Sequence, residues 1–307
     1  MEELRHGVLL VDKEPGWTSH DVVQKARRLL REKKIGHCGT LDPAATGLLV
    51  LTIGRATRLT RFLIRAPKVY EGSLKLGITT DTYDAEGKVL REASTAGLTP
   101  GRVAEEMAGF EGAYLQQPPM YSAKKVQGVR LYEIARRGED VEVEVEPKEV
   151  QVYEFQPLAW TGPDSLGFRL ACSSGTYARS LVHDLGNRLG CGAHLSSLRR
   201  LSVGPFKLES ALTLDALADR LGREESLAPA WLPFDAIPLP FGEITTDSTQ
   251  EQRIANGQNV LVRDLEGHEG DWVKLLNRRR QFIAVGTIIE KIGSTGMGLV
   301  QPKVVFR

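Results

Sequence analysis

Gly36-His37-Cys38-Gly39-Thr40-Leu41-Asp42-Pro43-Ala44-Ala45-Thr46-Gly47 runs directly into Leu48-Leu49-Val50-Leu51-Thr52-Ile53. The second stretch is a short apolar run with the length of a core strand. The first is Gly-rich and polar and predicts a loop. Glycine admits backbone conformations closed to other residues, and Pro43 stiffens the chain beside Asp42. A shaped loop delivered to the edge of a buried strand can hold a carboxylate for chemistry. The same carboxylate could instead cap the next turn or bond its own loop backbone. Composition alone leaves both roles open.

Outward from this loop, elements of both kinds are interspersed. Upstream, residues 7–12 read as a buried strand, and Glu14-Pro15-Gly16 marks a turn. Thr18 or Ser19 then caps a helix expected to reach about Lys34, with Val22, Val23, Ala26, Leu29 and Leu30 on its buried stripe. Downstream, residues 55–64 predict a short basic helix, and Val69–Gly77 a strand. Helices are predicted over 101–109, 132–137, 176–189 and 211–222. Extended segments are predicted over 141–155, 167–172 and 193–203. No regular strand–helix–strand repeat appears, so the expected class is α+β with a mixed, largely antiparallel sheet. Pro229, Pro233, Pro238 and Pro240 crowd together and suggest a boundary. We expect one unit over 1–235 and a small β-rich unit over 244–307.

The 307 residues suit this division. Cys38, Cys172 and Cys191 are odd in number and show no C-x-x-C pairing, which argues against a disulfide framework or a structural zinc site. No run is long and apolar enough to span a membrane and no basic-apolar leader stands at Met1, so the expected compartment is the cytoplasm. The net charge of +1 hides an uneven distribution. Residues 1–65 carry twelve Lys/Arg against seven acids, and 124–137 five against one, whereas 139–154 carry seven acids and one lysine. The basic stretches can converge on a phosphate backbone or simply solvate helix faces. There is no G-x-x-x-x-G-K-[ST], H-E-x-x-H or G-x-G-x-x-G, so nucleotide-triphosphate, zinc-protease and dinucleotide chemistry find no support.

A series of motifs resembles the TruB pseudouridine synthases. Gly36–Leu49 is similar to that family's G-H-[TG]-G-T-L-D-P-x-A-x-G-x-L signature, with Cys38 where Thr or Gly is commoner. Asp12-Lys13-Glu14-Pro15-Gly16-Trp17-Thr18-Ser19 resembles its D-K-P-x-G-x-T-S segment, with Glu14 altering the spacing. The resemblance continues in order through Tyr70-Glu71-Gly72, Thr80-Asp81-Thr82 with Asp84 and Gly87, and Pro118-Pro119-Met120-Tyr121-Ser122-Ala123-Lys124-Lys125. It ends with Cys172–Leu181 (C-x-x-G-T-Y-I-R-x-L) and Gly192–Arg200 (G-A-x-L-x-x-L-R-R).

The resemblance implies the pseudouridine synthase catalytic fold, no cofactor and no metal. By residue, it implies that Asp42 is the essential carboxylate. Asp42 would act as nucleophile at the sugar or the base, or help remove a sugar proton; a covalent route divides one hard bond exchange into easier steps. Arg179 would keep Asp42 ionised and oriented. Tyr70 would stack on the flipped uracil and could accept a proton. Tyr177 would lie near the ribose, Leu198 would shape the pocket wall, His37 would touch the RNA loop, and Lys13 and Pro15 would stand on the rim. Residues 244–307 resemble the small PUA-like RNA-binding domain of the family. The implied substrate is the uridine at position 55 of the tRNA TΨC loop. The implied enzyme is a monomer acting on the T-stem–loop without guide RNA or an obligate protein partner. A base inside a folded loop must be extruded before it can be isomerised. That need suits an aromatic platform with basic residues around it. Two readings compete: an RNA-folding protein on an inherited scaffold, and a guide-dependent rRNA synthase. The presence of Asp42, Tyr70 and Arg179 disfavours the first. The segment Pro118–Gly138 and the short C-terminal unit disfavour the second.

Overall fold

The computed structural model describes residues 5–119, 125–126, 129–130, 146–293 and 296–306. The helix expected over 132–137, the motif residues Met120–Lys124 and most of the basic stretch 124–137 lie outside them.

The first unit is built on one ten-stranded sheet. Its N-terminal half holds β1 (Gly7–Lys13), α1 (Ser19–Leu30), β2 (Ile35–His37), β3 (Thr46–Ile53) and α2 (Thr60–Leu63). Its second half holds β4 (Lys68–Leu76), the hairpin β5 (Ile78–Thr80) and β6 (Val89–Glu92), α3 (Pro100–Ala108) and β7 (Gly112–Gln116). The short pair β8 (Lys125–Val126) and β9 (Val129–Arg130) stands apart from the main sheet. Then come β10 (Lys148–Trp160), β11 (Ser165–Cys172), α4 (Ala178–Leu189), β12 (Ala193–Val203), β13 (Phe206–Lys207), α5 (Leu214–Gly222) and β14 (Trp231–Pro233). The strand order is β14-β1-β3-β12-β4-β11-β10-β7, with β2 beside β3 and β13 beside β12.

Every pairing in that sheet is antiparallel except the one between β12 and β3, where Arg199 lies opposite Thr46 and Arg200 opposite Gly47. This parallel contact is the seam of the molecule. On one side, β1, β3 and α1 enclose a core that includes Val8, Leu9, Val22, Leu48, Leu49 and Leu51. On the other, β4, β11, α3 and α4 enclose a second core with Leu74, Met107, Phe155, Phe168 and Leu181. Burying each such aliphatic or aromatic side chain contributes about 1.5–3 kcal/mol. Both halves are thus independently packed, and the loop before β3 emerges at their join. Gly47 stands there at φ +95°, and a Cβ on it would lie 2.4 Å from the Arg200 carbonyl oxygen. Only glycine fits a conformation and an approach of that kind.

Helix α1 is shorter than its pattern predicts. Thr18 and Asp21 form a reciprocal capping box at its start, and Arg31 at φ 52° in the left-handed region ends it. Arg31-Glu32-Lys33-Lys34 offers no apolar residue to the buried stripe, and Ile35 is required in β2 against Ile53. The proline-rich stretch is not a bare linker. Trp231–Pro233 pairs with Gly7–Leu9, and Ala230, Phe234 and Ile237 are buried in the first core.

The C-terminal sheet comprises β15 (Glu243–Thr245), β16 (Val260–Val262), β17 (Trp272–Leu276), β18 (Phe282–Ile292) and β19 (Met297–Val305), with α6 (Ser248–Ala255) against it. Its order is β15-β17-β18-β19-β16. One face closes a small core through Ile254, Val260, Leu275, Ile288 and Val300. The other sends Leu276, Phe282, Val285, Val304 and Phe306 into the first core. There Phe282 stacks on Phe234 with centroids 5.1 Å apart, and Phe306 meets Phe234 edge-on at 4.8 Å. Among the described residues no helix is long and apolar enough to cross a membrane.

Candidate active site

Asp42 sits on a loop whose backbone is tied down on all sides. The Cys38 amide donates to the Val50 carbonyl. The Leu41 amide donates to Ser19 Oγ at 2.9 Å, and that hydroxyl donates to the Leu41 carbonyl at 3.1 Å, so the first residue of α1 is bolted to the loop. Past Asp42, the Pro43 carbonyl accepts from the Gly16 amide at 2.9 Å and from Lys13 Nζ at 3.0 Å. From below, Arg200 Nη2 donates to the Gly39 carbonyl at 3.0 Å and Nε to the Leu48 carbonyl at 2.7 Å. The Asp42 side chain, by contrast, remains 47% exposed. A rigid loop therefore presents a reachable carboxylate.

Its partner is Arg179, the second residue of α4, whose Nε lies 3.0 Å from Asp42 Oδ2. Arg179 is only 7% exposed, and its Nη1 lies 3.6 Å from Asp84 Oδ2 and donates to the Thr82 carbonyl at 3.2 Å. One turn later on α4, His183 stacks on Tyr83 with ring centroids 3.8 Å apart. Tyr83 occupies the left-handed region at φ 65°. The turn 80–84 is thus docked onto α4, and its Asp84 braces the guanidinium from the side away from Asp42. A cation shared by two carboxylates keeps a fixed orientation.

Tyr70 lies on β4 opposite both Leu170 and Arg200. It is half-buried, and burial raises its pKa above the ordinary phenol value, with the nearby Arg200 guanidinium opposing the shift. It therefore stands as a neutral phenol near pH 7. Tyr177 is half-buried just before α4. Its amide donates to Gln116 Oε1 at 2.7 Å, and its carbonyl accepts from Gln116 Nε2 at 3.0 Å. Leu198 lies on β12 opposite Gly72 and packs partly exposed against the second core. His37 ends β2, half-buried, and burial lowers its pKa, so its ring is neutral near pH 7. Pro15 is exposed on the turn before α1.

Lys13 is placed differently from the rim expected of it. It is 0% exposed, and its ammonium donates to the carbonyls of Glu14 (3.0 Å), Trp17 (2.7 Å) and Pro43 (3.0 Å). All three of its donors are used inside the protein, so it braces the Asp42 loop rather than meeting a ligand. Burial lowers its pKa to about 8, with nearby Asp42 opposing that shift.

Three residues given no role from sequence prove central: Asp84, Arg200 and Gln116. Asp84 and Arg200 fall inside motif blocks, but an acidic turn residue and a strand arginine carry no signal of their own. Only the fold brings them to Arg179 and to the Asp42 loop.

The comparisons with known proteins bear on this geometry. A family model described as TruB family pseudouridylate synthase (N terminal domain) matches residues 27–178, and one described as tRNA pseudouridylate synthase B C-terminal domain matches 179–237. A protein of Solibacter usitatus named tRNA pseudouridine synthase B is 43% identical over 284 residues, covering 92% of this chain and 96% of its own. One of the same name from Heliobacterium modesticaldum is 42% identical, covering 100% of this chain and 97% of its own. The chain belongs to the TruB family of pseudouridylate synthases. Among solved structures, an H/ACA RNP bound to a substrate RNA containing 2′-deoxyuridine aligns with a TM-score of 0.74 at 25% identity, covering all of this chain and 86% of the other. An archaeal box H/ACA sRNP Nop10–Cbf5 complex aligns with a TM-score of 0.72 at 26% identity, covering all of this chain and 88% of the other. In this TruB-family chain the two matched segments abut between Ala178 and Arg179. The Asp42–Arg179 pair thus spans that boundary.

Proposed function

We propose that this TruB-family enzyme converts the uridine at position 55 of the tRNA TΨC loop into pseudouridine, with Asp42 as nucleophile. The base is flipped from its stack, the N1–C1′ bond is exchanged for a C5–C1′ bond, the C5 proton is lost and N1 gains one. The product is an isomer, and the balance needs no oxidant or co-reactant. The observation that carries this reading is a half-exposed carboxylate on an immobilised loop, oriented by a buried arginine that a second carboxylate holds in turn. Such preorganisation lets Asp42 meet a flipped nucleotide without rearranging.

In this reading Tyr70 is the stacking platform, and its neutral phenol suits stacking better than proton abstraction. Tyr177, Leu198, His37 and Pro15 border the flipped nucleotide, and Lys13 supports the loop from within. Residues 1–235 form the catalytic unit, and 244–307 a small PUA-like unit that adds RNA contacts. The enzyme works as a cytoplasmic monomer.

The fold likeness to proteins of H/ACA complexes raises a guide-dependent alternative. Relatives at 42–43% identity over nearly the whole chain, all named tRNA pseudouridine synthase B, favour the guide-free reading. Mapping pseudouridine in unmodified tRNA after incubation with the purified chain alone decides between them. Product at position 55 is expected, from full tRNA and from an isolated T-stem–loop. No product without guide RNA would reject the proposal.

A further inference from the structure

Arg200 is 1% exposed, and its interactions are unusual for a buried charge. Among the described residues no carboxylate pairs with it. Its guanidinium instead donates to three carbonyls: Leu48 at 2.7 Å, Gly39 at 3.0 Å and Thr40 at 3.4 Å. Two of these belong to the loop that carries Asp42, and the other to Leu48, the third residue of β3, just after it. Burying an arginine without a counter-ion is costly unless its donors are satisfied. Here the backbone dipoles of the Asp42 loop and of β3 supply the compensation.

The register extends the relationship. On β12, Arg200 lies opposite Gly47 of β3 on one side and Tyr70 of β4 on the other. Its positive charge also lies near enough to Tyr70 to oppose the rise that burial gives that phenol's pKa. One residue therefore bonds the nucleophile's loop through its side chain and pairs with the aromatic platform across the sheet, at the seam between the two half-cores. A second buried cation, Lys68, donates to the Ile64 and Ala66 carbonyls and not to this loop, so it does not duplicate the contact.

We propose that Arg200 is a positioning residue for the reaction, fixing the Asp42 loop and Tyr70 in register with each other. This rests on the roles proposed above for Asp42 and Tyr70. The planar five-donor fork of arginine spans three carbonyls that diverge around it, whereas a lysine ammonium in the same place is a point charge on a shorter reach. A misplacement of about 1 Å at a reacting group can cost on the order of a hundredfold in rate.

The test compares Arg200→Lys and Arg200→Met with the parent and with Asp42→Asn, using a T-stem–loop RNA. Single-turnover rate at saturating enzyme, RNA affinity and thermal melting are read for each. We expect Arg200→Met to lose about a hundredfold in rate and Arg200→Lys about tenfold, both with affinity within about threefold of the parent. The graded rescue by lysine and the split between rate and affinity mark positioning; a stabilising role alone would move rate and affinity together with the folded fraction. A folded Arg200→Lys at parental rate overturns the proposal, as does a loss confined to affinity. Failure of both variants to fold overturns it too, by making Arg200 a stabilising residue only. An active Asp42→Asn would instead reject the catalytic reading itself, whatever the Arg200 variants do.

Discussion

Arg179 Nε forms an ion pair with Asp42 Oδ2 at 3.0 Å, with the arginine 7% exposed and the carboxylate 47% exposed. The asymmetry matters. The cation is a fixed part of the protein interior, while the anion faces outward from it. Asp42→Asn keeps the shape and removes the charge. Arg179 retains Asp84 and the Thr82 carbonyl, so the stability cost should stay near 1 kcal/mol, as for a half-exposed pair. Pseudouridine formation should fall to background while RNA affinity holds, since phosphate contacts and stacking lie elsewhere. A folded, RNA-binding Asp42→Asn enzyme with near-normal turnover would sink the assignment.

Asp84 braces the same guanidinium from the other side, with its Oδ1 accepting from the Thr82 hydroxyl and the Glu86 amide. Asp84→Asn should therefore slow single-turnover rate about tenfold through a less constrained Arg179, and cost about 1–2 kcal/mol in stability. Unchanged rate with a lowered melting point would reduce Asp84 to a structural role.

Cys38 is wholly buried, and burial raises its thiol pKa to about 12, so it stays protonated and inert. Cys38→Thr should keep at least half of parental activity. It brings a hydroxyl into an apolar site, so a stability loss of about 1–2 kcal/mol is expected. A large fall in rate by a folded variant would reveal a role for the thiol.

Truncation after residue 243 should do more than remove the RNA contacts proposed for the C-terminal unit. It strips Phe282 and Phe306 from Phe234 and uncovers part of the first core. At about 1.5–3 kcal/mol for each lost aromatic or aliphatic contact, the fragment should melt well below the parent or aggregate. A soluble fragment with the parental melting point would show that this interface contributes little.

Burial lowers the Lys68 pKa to about 8, with Arg200 adding repulsion, against 10.5 for the free side chain. Between those values the unfolded chain binds more protons than the folded one, so this group makes stability rise with pH. The slope is at most about 1.4 kcal/mol per pH unit. Denaturant midpoints at pH 8 and pH 10 should show a shallower rise, or a steeper fall, for Lys68→Met than for the parent. Identical pH dependence in the two proteins would mean that Lys68 titrates near its free value.

The chain by itself determined most of the elements and singled out the carboxylate proposed as nucleophile. The apolar run Leu48–Ile53, the capping residues before α1 and the stripe Val22-Val23-Ala26 dictate local structure, because periodicity and capping act within a few residues. The Gly-rich loop and its motif likewise marked Asp42. Helix α1 stopped four residues early because β2 competes for Ile35, a non-local demand invisible to periodicity. What only the tertiary structure decided is the machinery around Asp42. Lys13 looks like a surface lysine in sequence, yet it is buried with all its donors spent on carbonyls. Asp84 lies 95 residues before Arg179 and meets it through a turn docked on α4. Arg200 reaches the loop 160 residues upstream because β12 inserts between β3 and β4, the one parallel contact in an otherwise antiparallel sheet. Strand insertion of this kind is fixed by the packing of both cores together, and no local pattern in the chain encodes it.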